Sequence, residues 1–122
     1  MGITRIHSGG EFEQKIGYCR AVVAGGWVHV AGCVGQGDNV TDQCRSALGV
    51  IGNALSEAGC SFADVVRVTY MLPDRAEFEP CWPILRDAFA DNPPVTTMIE
   101  CGLIDSKYRI EIEVTALLPG AG

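Results

Sequence analysis

The sequence predicts an α+β fold in which a mixed sheet of about six strands carries two helices on one face. Apolar residues alternate in short runs near both ends of the chain, and two stretches between them have helical periodicity, which gives the order β, β, β, α, β, α, β, β. A strand, a long helix and a further strand require a parallel crossover, whereas hairpins are antiparallel. At 122 residues the chain supports one core, so we treat 1–122 as a single domain.

The first third of the chain is predicted to be mainly strand. Residues 3–8 read as a short strand and 9–17 as a loop. The segment 19–34 contains two apolar runs separated by Gly25 and Gly26, a dipeptide that suits the positive φ angles of a tight hairpin turn. The sequence therefore predicts a β-hairpin centred on these two glycines.

The first helix is predicted to follow that hairpin, with Thr41 as a possible N-cap and Gly59 at its end. Gly49 and Gly52 lower its helix propensity, so we expect the sheet to approach it closely there. Its apolar positions recur at helical spacing: Cys44, Ala47, Leu48, Ile51, Leu55 and Ala58.

The second crossover is predicted to contain a strand at 64–72, closed by Pro73, and a shorter helix. Asp74 and Glu77 resemble a capping pair. Prolines confine the regular helix to about 80–90, because proline is tolerated only in a first helical turn.

The last quarter of the chain, 94–118, contains two strand-like runs joined by a short turn-forming segment. The second run places Glu111, Glu113 and Thr115 on one face and three branched aliphatic residues on the other. We expect the first run to lie beside it, with Thr96, Met98 and Glu100 or the alternate positions Thr97 and Ile99 opposite the carboxylates. From the pattern alone, Glu111 and Glu113 form either an exposed strand face or part of a site.

Composition limits the partners and the compartment. Fifteen acidic residues stand against nine basic ones, for a net charge of −6, and Lys and Arg do not cluster, so nucleic acid is an unlikely partner. Hydrophobic residues make up 48% of this small chain, which favours self-association. No apolar run suits a membrane span or a secretory signal, and we expect a cytoplasmic protein without membrane contact.

The cysteines are widely spaced and form no CxxC pair, so we expect reduced, mostly buried thiols and no metal site. They are Cys19, Cys33, Cys44, Cys60, Cys81 and Cys101.

Two further features have open interpretations. Tyr18 could present its phenol to a ligand or pack at a strand start. The glycine-bearing run 32–39 stands between a strand and a helix, where a phosphate cradle would lie, but its spacing also fits a plain connecting loop.

Several motifs taken together resemble the Rid family, the YjgF and UK114 proteins, over essentially the whole chain. They are GYCRAVVAGGWVHVAGCVG, SEAGCSFADVVRVTYMLPD, FEPCWPILRDAF, NPPVTT and YRIEIEVTALLP. The resemblance implies a chorismate-mutase-like α+β fold and a homotrimer with small-molecule clefts between its subunits. It also implies hydrolysis of enamines and imines without a metal or other cofactor.

The resemblance also implies roles for individual residues. Glu111 matches the catalytic glutamate of such deaminases, Tyr18 a tyrosine that lines the cleft, and Gly32 a backbone position beside the ligand. Thr96 stands where the deaminases carry an arginine that binds the substrate carboxylate, and Met98 where many relatives carry a small polar or thiol side chain. A threonine hydroxyl cannot replace the two parallel, charge-assisted bonds of a guanidinium.

The expected substrate is therefore a neutral imine or one without a free carboxylate. Backbone groups near Gly32 and Cys101 would orient it, and Arg20 or Arg109 is an alternative source of the missing guanidinium. A different class of function, a trimer that binds or senses a small metabolite without turning it over, explains the missing arginine equally well. Endoribonuclease activity fits poorly with the acidic charge.

Overall fold

The computed structural model describes residues 2–120 and contains one six-stranded sheet with two main helices packed on one face. This confirms the expected α+β class. The strands are β1 (Thr4–Ile6), β2 (Ala21–Ala24), β3 (Trp27–Val34), β4 (Val65–Leu72), β5 (Val95–Glu100) and β6 (Glu111–Leu117), and the helices are α1 (Val40–Ala58) and α2 (Trp82–Phe89).

The sheet is mixed, with the strand order β1-β2-β3-β6-β4-β5. Among the strands of residues 2–120, only β4 and β5 pair in parallel, and α2 makes the crossover between them. The expectation that β5 lies beside β6 is wrong, because β6 inserts between β3 and β4 and is antiparallel to both. There its backbone groups find partners on two sides, whereas β5 is left at the edge of the sheet.

The predicted hairpin is confirmed. Ala24 pairs with Trp27 across a two-residue turn. Gly25 and Gly26 have φ angles of 59° and 84°, a left-handed conformation that glycine adopts without steric cost.

Helix α1 begins earlier than predicted. Its N-cap is Asn39 instead of Thr41, because the Asn39 Oδ1 accepts a 2.8 Å hydrogen bond from the backbone N–H of Asp42. Gly59 ends the helix as predicted, with a φ of 93°. The sheet does not approach the two helical glycines: Gly49 faces open space and Gly52 faces the ring of Phe62.

The connections also differ from expectation in detail. Residues 9–17 are not all loop, since Glu13–Gly17 form a short helical turn. Asp74 caps the single turn Arg75–Glu77 through the N–H of Ala76, but Glu77 instead pairs with Arg109. In the 32–39 run, a Cβ on Gly35 would lie 2.6 Å from the Ala47 nitrogen, so that glycine allows the connection to pack directly on α1.

The core lies between the sheet and the two helices. The face of β6 that carries Ile112 and Val114 is buried there, as the alternation predicts. All six cysteines are free thiols, of which Cys33, Cys44 and Cys81 are buried. None of the helices in residues 2–120 has the length and apolar character that a bilayer-spanning segment requires.

Candidate functional site

Glu111 is the first residue of β6 and lies on the face of the sheet that the helices do not cover. It pairs with Val34 of β3 and Met71 of β4, which are its actual neighbours in place of the expected residues of β5. Its side chain is half-buried, while the adjacent Ile112 is fully buried on the other face. The period of two along β6 therefore sets the direction of this carboxylate.

A bulge in β3 makes room for the carboxylate. The pairing of β3 with β6 shifts between Val30 and Cys33, which leaves Ala31 and Gly32 outside the regular ladder. A Cβ built on Gly32 would lie 2.9 Å from Glu111 Cδ and closer still to Oε2. Only glycine at position 32 lets the carboxylate take this place against the backbone.

The carboxylate opens into a cavity of about 430 Å³. The segment 8–18, the β3 bulge and the loop between β5 and β6 form its walls, with a contribution from Val50 of α1. Its lining is largely apolar and aromatic: Phe12, Ile16, Tyr18, Val34, Val50, Ile104 and Tyr108. A cavity of this size holds a small organic molecule.

The loop between β5 and β6 is fixed to α1 by one buried amide. Gln43 is 4% exposed. Its Nε2 donates to the carbonyl of Lys107 at 3.0 Å, and its Oε1 accepts from the N–H of Arg109 at 2.8 Å. These bonds hold Tyr108 in place between the two residues that Gln43 contacts.

The environment changes the protonation of Glu111. Burial raises the pKa of its carboxyl above the ordinary value, and the negative charge of Glu113 raises it further. The positive charge of Arg20 acts in the opposite direction, but the net pKa remains raised. A carboxyl of this kind can donate or accept a proton closer to neutral pH than an exposed one.

Arg20 lines the same cavity and is held from several sides. Its Nη1 donates to the carbonyl of Gly32 at 3.2 Å and contacts Cys33 Sγ at 3.3 Å, and its Nε lies 3.4 Å from Ser8 Oγ. Its Nη2 lies 3.7 Å from an oxygen of Glu13, and its guanidinium stands over the ring of Tyr18 at 5.8 Å. Most of its donors are thus already engaged.

Neither arginine offers a free guanidinium to a substrate carboxylate beside Glu111. Arg20 is occupied by Gly32 and Glu13. Arg109 makes a two-point ion pair with Glu77, with one contact of 2.9 Å, at a different depression of the surface. The geometry therefore argues against Arg20 and against Arg109 as the replacement for the missing guanidinium.

The structure brings Tyr18, Gly32 and Glu111 together but not Thr96, Met98 or Cys101. Thr96 pairs with Val68 of β4, which pairs with Val114 of β6, so it points to the other face of the sheet, three positions along from Glu111. Two strand spacings, roughly 10 Å, separate β5 from β6.

The other two residues are equally remote from the carboxylate. Met98 pairs with Tyr70 and packs against the core. The backbone N–H of Cys101 is used by the carbonyl of Leu72, at 3.0 Å.

Sequence reasoning missed Glu13, Tyr108 and the positions of Ser8 and Arg20. The 8–18 segment has no regular period, so nothing in its spacing shows that Glu13 meets Arg20. The one signal in the sequence that Glu13 is buried is its position between two apolar residues, Phe12 and Ile16. Within residues 2–120, His, Cys, Asp and Glu side chains form no group of three that could hold a metal ion.

A second, larger depression of about 590 Å³ lies on the other side of Tyr18, over β2 and β3. It includes Arg5, Val22 and His29 on the face of the sheet that the helices leave open. Glu111 does not line it, so its size does not make it the better candidate for chemistry.

Comparison with known proteins places the chain in a family. The family described as endoribonuclease L-PSP matches residues 10–118. An uncharacterized protein of Streptomyces coelicolor is 31% identical over 93% of this chain and 91% of its own length. The human 2-iminobutanoate/2-iminopropanoate deaminase is 28% identical over 94% of this chain and 90% of its own length.

A solved structure agrees with these sequence matches. The crystal structure of a YjgF/YER057c/UK114 family member from Mycobacterium tuberculosis has a TM-score of 0.93 and 40% identity, and covers 96% of this chain and all of its own. The shared fold, the match over residues 10–118 and the near-complete coverage lead to one conclusion: the chain belongs to the endoribonuclease L-PSP family, the YjgF/YER057c/UK114 or Rid proteins.

Proposed function

We propose that the protein is a hydrolytic deaminase for imines or enamines that carry no free carboxylate. The observation that supports this most directly is the half-buried carboxyl of Glu111, with its raised pKa, set against Gly32 in a largely apolar cavity. The similarity to the human 2-iminobutanoate/2-iminopropanoate deaminase supports the reaction type.

In the proposed reaction, the protonated Glu111 gives its proton to the imine nitrogen. Water adds to the carbon, and one of its protons returns to the carboxylate, which leaves a carbinolamine. Glu111 then protonates the amino group, the carbon–nitrogen bond breaks, and the hydroxyl proton passes to Glu111 as the carbonyl forms. One imine and one water give one carbonyl compound and one ammonia, and the carboxyl ends in its starting state.

The choice of substrate rests on charge. In the resemblance on which this proposal draws, the substrate carboxylate is held by an arginine at the position of Thr96. Losing a bidentate guanidinium costs on the order of 2 to 4 kcal/mol of binding, roughly a hundredfold or more. Around Glu111, Arg20 is the cation within contact distance of the cavity, and Glu13 and Gly32 already engage it. A neutral imine avoids this deficit.

We further propose a homotrimer whose clefts combine two copies of the chain. Thr96 lies exposed on the edge strand β5, too far from Glu111 of the same chain to share a ligand with it, so it would reach such a ligand only in a cleft formed with a neighbouring copy. Exposed apolar side chains on the uncovered face of the sheet give such an interface its driving force: Trp27, Val66, Val95 and Ile99.

The second candidate function is a trimer that binds a small metabolite without turning it over. Thr96 in place of the arginine favours it, since a binding protein does not need the deaminase's substrate contacts. The family description also names an endoribonuclease. The net charge of −6 argues against a nucleic-acid substrate for this chain.

Turnover of a stable neutral imine separates these candidates. We expect the wild-type protein to accelerate release of ammonia from benzophenone imine, and to act poorly on 2-iminobutanoate generated in situ. Glu111→Gln should abolish the acceleration, while Glu79→Gln, which removes an exposed carboxylate outside the cavity, should retain it. Equal activity of Glu111→Gln and wild type would remove Glu111 from the mechanism, and an inert wild type with a co-purified metabolite would favour the binding function.

Two further measurements test the substrate and the assembly. Thr96→Arg should improve the hydrolysis of 2-iminobutanoate, whereas brisk turnover by the wild type would show that another group binds the carboxylate. Sedimentation equilibrium should give three times the chain mass. A monomer would contradict the two-copy cleft.

A further inference from the structure

The Glu13 carboxylate is buried in a way that the proposed reaction does not explain. It is 4% exposed and lies outside the cavity that holds Glu111. Burying a charged carboxylate costs several kcal/mol unless other groups compensate it. Burial alone would raise the pKa of Glu13, but hydrogen bonds from the Ser8 side chain and backbone and the charge of Arg20 outweigh it and hold the pKa below its ordinary value.

The compensating contacts come mainly from Ser8 and Arg20. The Ser8 backbone N–H lies 3.2 and 3.3 Å from the two carboxylate oxygens, and the Ser8 hydroxyl donates to one of them. Ser8 Oγ and Glu13 together face the guanidinium of Arg20, whose side chain is 12% exposed. The carboxylate therefore holds Arg20, and its Oε1 also lies 3.4 Å from Nδ1 of His7, on the side of the larger depression.

Arg20 in turn contacts the backbone that supports Glu111. Its Nη1 donates to the Gly32 carbonyl, and Gly32 is the residue whose Cα lies against the Glu111 carboxylate. Because Ala31 and Gly32 form the bulge, the regular pairing of β3 with β6 does not restrain them, and the bond from Arg20 supplies a restraint from the side.

We propose that Arg20, held by Glu13 and Ser8, is a positioning residue that fixes the Gly32 bulge against Glu111 and places a stationary positive charge beside that carboxyl. This rests on the proposed function of Glu111. Arg20 touches no reacting atom in this arrangement.

The effect on Glu111 is a balance among several groups. Glu113 faces it from β6 and Tyr108 from the loop before β6, and Met71 of β4 carries no charge. Cys33 of β3 pairs with Ile112 on the opposite face, where the Glu111 charge still raises the pKa of its thiol. From the segment 8–20, the ionisable side chains that line the cavity are Glu11, Tyr18 and Arg20, and Glu13 contacts Arg20 from outside it. Among these, Arg20 opposes the rise in the pKa of Glu111.

The test reads the protonation of Glu111 directly, without turnover. Carboxyl ¹³C NMR titration of the assembled protein, with Glu111→Gln to assign the signal, should show the pKa of Glu111 moving upward in Arg20→Met. Arg20→Lys should stay near wild type, because the charge is kept. Arg45→Met, which removes an exposed arginine on α1 that pairs with Asp42, is the matched control and should leave the titration unchanged.

Turnover of benzophenone imine gives the second readout. Since a positioned acid or base contributes about 10² to 10⁴ in rate, we expect Arg20→Met to lose on the order of tenfold in kcat, with partial recovery in Arg20→Lys. The Glu111-dependent limb of the pH–rate profile should move to higher pH in Arg20→Met. Glu13→Gln keeps the charge of Arg20 but removes the ion pair that holds it. We therefore expect kcat to fall while the Glu111-dependent limb of the pH–rate profile does not move to higher pH.

The outcomes separate this proposal from the proposed function. An upward move of the Glu111 titration in Arg20→Met supports the role of Arg20 even if no imine is hydrolysed. An unchanged titration in a folded Arg20→Met protein would overturn it, whatever the activity. Should Arg20→Met fail to fold, Arg20→Gln, which also removes the charge, takes its place, and an unchanged titration of Glu111 in folded Arg20→Gln would overturn the proposal.

Discussion

Gly32→Ala tests whether the close approach of the β3 backbone to Glu111 matters for chemistry. The new Cβ would stand 2.9 Å from Cδ and 3.3 Å from Cγ of Glu111, whereas nonbonded carbon atoms rest about 3.5 to 4.0 Å apart. The carboxyl group would have to move by about 1 Å. The φ angle of Gly32 lies outside the left-handed range, so the backbone itself accepts alanine.

The consequences for stability and activity should differ sharply. Because the clashing atoms belong to the end of a flexible side chain, the free energy of unfolding should change by less than about 1 kcal/mol. A displacement of about 1 Å in a reacting group can cost a factor of about 100 in rate. We therefore expect a folded Gly32→Ala protein with a kcat for benzophenone imine reduced roughly a hundredfold.

The assay is ammonia release together with thermal unfolding, with Gly49→Ala as the matched control. Gly49 lies in α1 facing open space, so alanine there should leave the rate unchanged and stabilise the helix by about 0.5 to 1 kcal/mol. Wild-type activity in Gly32→Ala would refute the argument that the position of the Glu111 carboxyl, set by the bulge, controls the reaction.

Three other substitutions test the energetics of the site. Since the pKa of Glu111 is raised, its ionised form destabilises the fold at pH values above the ordinary pKa of 4.5. Glu111→Gln should therefore raise Tm at pH 7 and 8 and give no gain below pH 4.5. An equal gain in Tm at all pH values would contradict this. The pKa of Glu13 is lowered, so the stability that its carboxylate contributes is fully present above pH 4.5 and is lost as pH falls through the folded-state pKa. In urea unfolding, Glu13→Gln should have a lower free energy of unfolding than wild type at pH 7, and the difference should shrink below pH 4.5. Gln43→Leu removes three part-buried hydrogen bonds that tie α1 to the backbone of two connections, so urea unfolding should show a loss of about 2 to 4 kcal/mol. A loss under 1 kcal/mol would show that other contacts fix the loop.

Local patterns predicted much of the fold because they report on local physics. Gly25 and Gly26 form the turn that their freedom in φ suggests, and Gly59 ends α1 as expected. The N-cap was placed wrongly because Asn39 and Thr41 both carry capping side chains two residues apart, and the sequence does not show which one meets a free N–H. The Asn39 side chain does so, with Thr41 donating to it.

The candidate site was only partly predictable. Tyr18, Gly32 and Glu111 come together in the structure, and the resemblance to the Rid proteins had already grouped them. The prediction that Thr96 faces Glu111 within one chain is wrong. It assumed that the two consecutive strand runs form a hairpin, whereas β4 lies between them. The segment 8–18 entered the site without any signal, because its contacts with Arg20 depend on how an irregular connection folds over the end of the sheet.

By itself, the sequence determined the direction of Glu111. The alternation of β6 puts that carboxylate on one face and Ile112 on the other, and no tertiary arrangement of a regular strand changes this. Only the tertiary structure decided what surrounds the carboxylate: β6 inserts between β3 and β4, and a bulge brings Gly32 and Arg20 to it. The physical reason is that period and propensity act within a strand, whereas strand neighbours depend on long-range pairing and on the packing of one shared core.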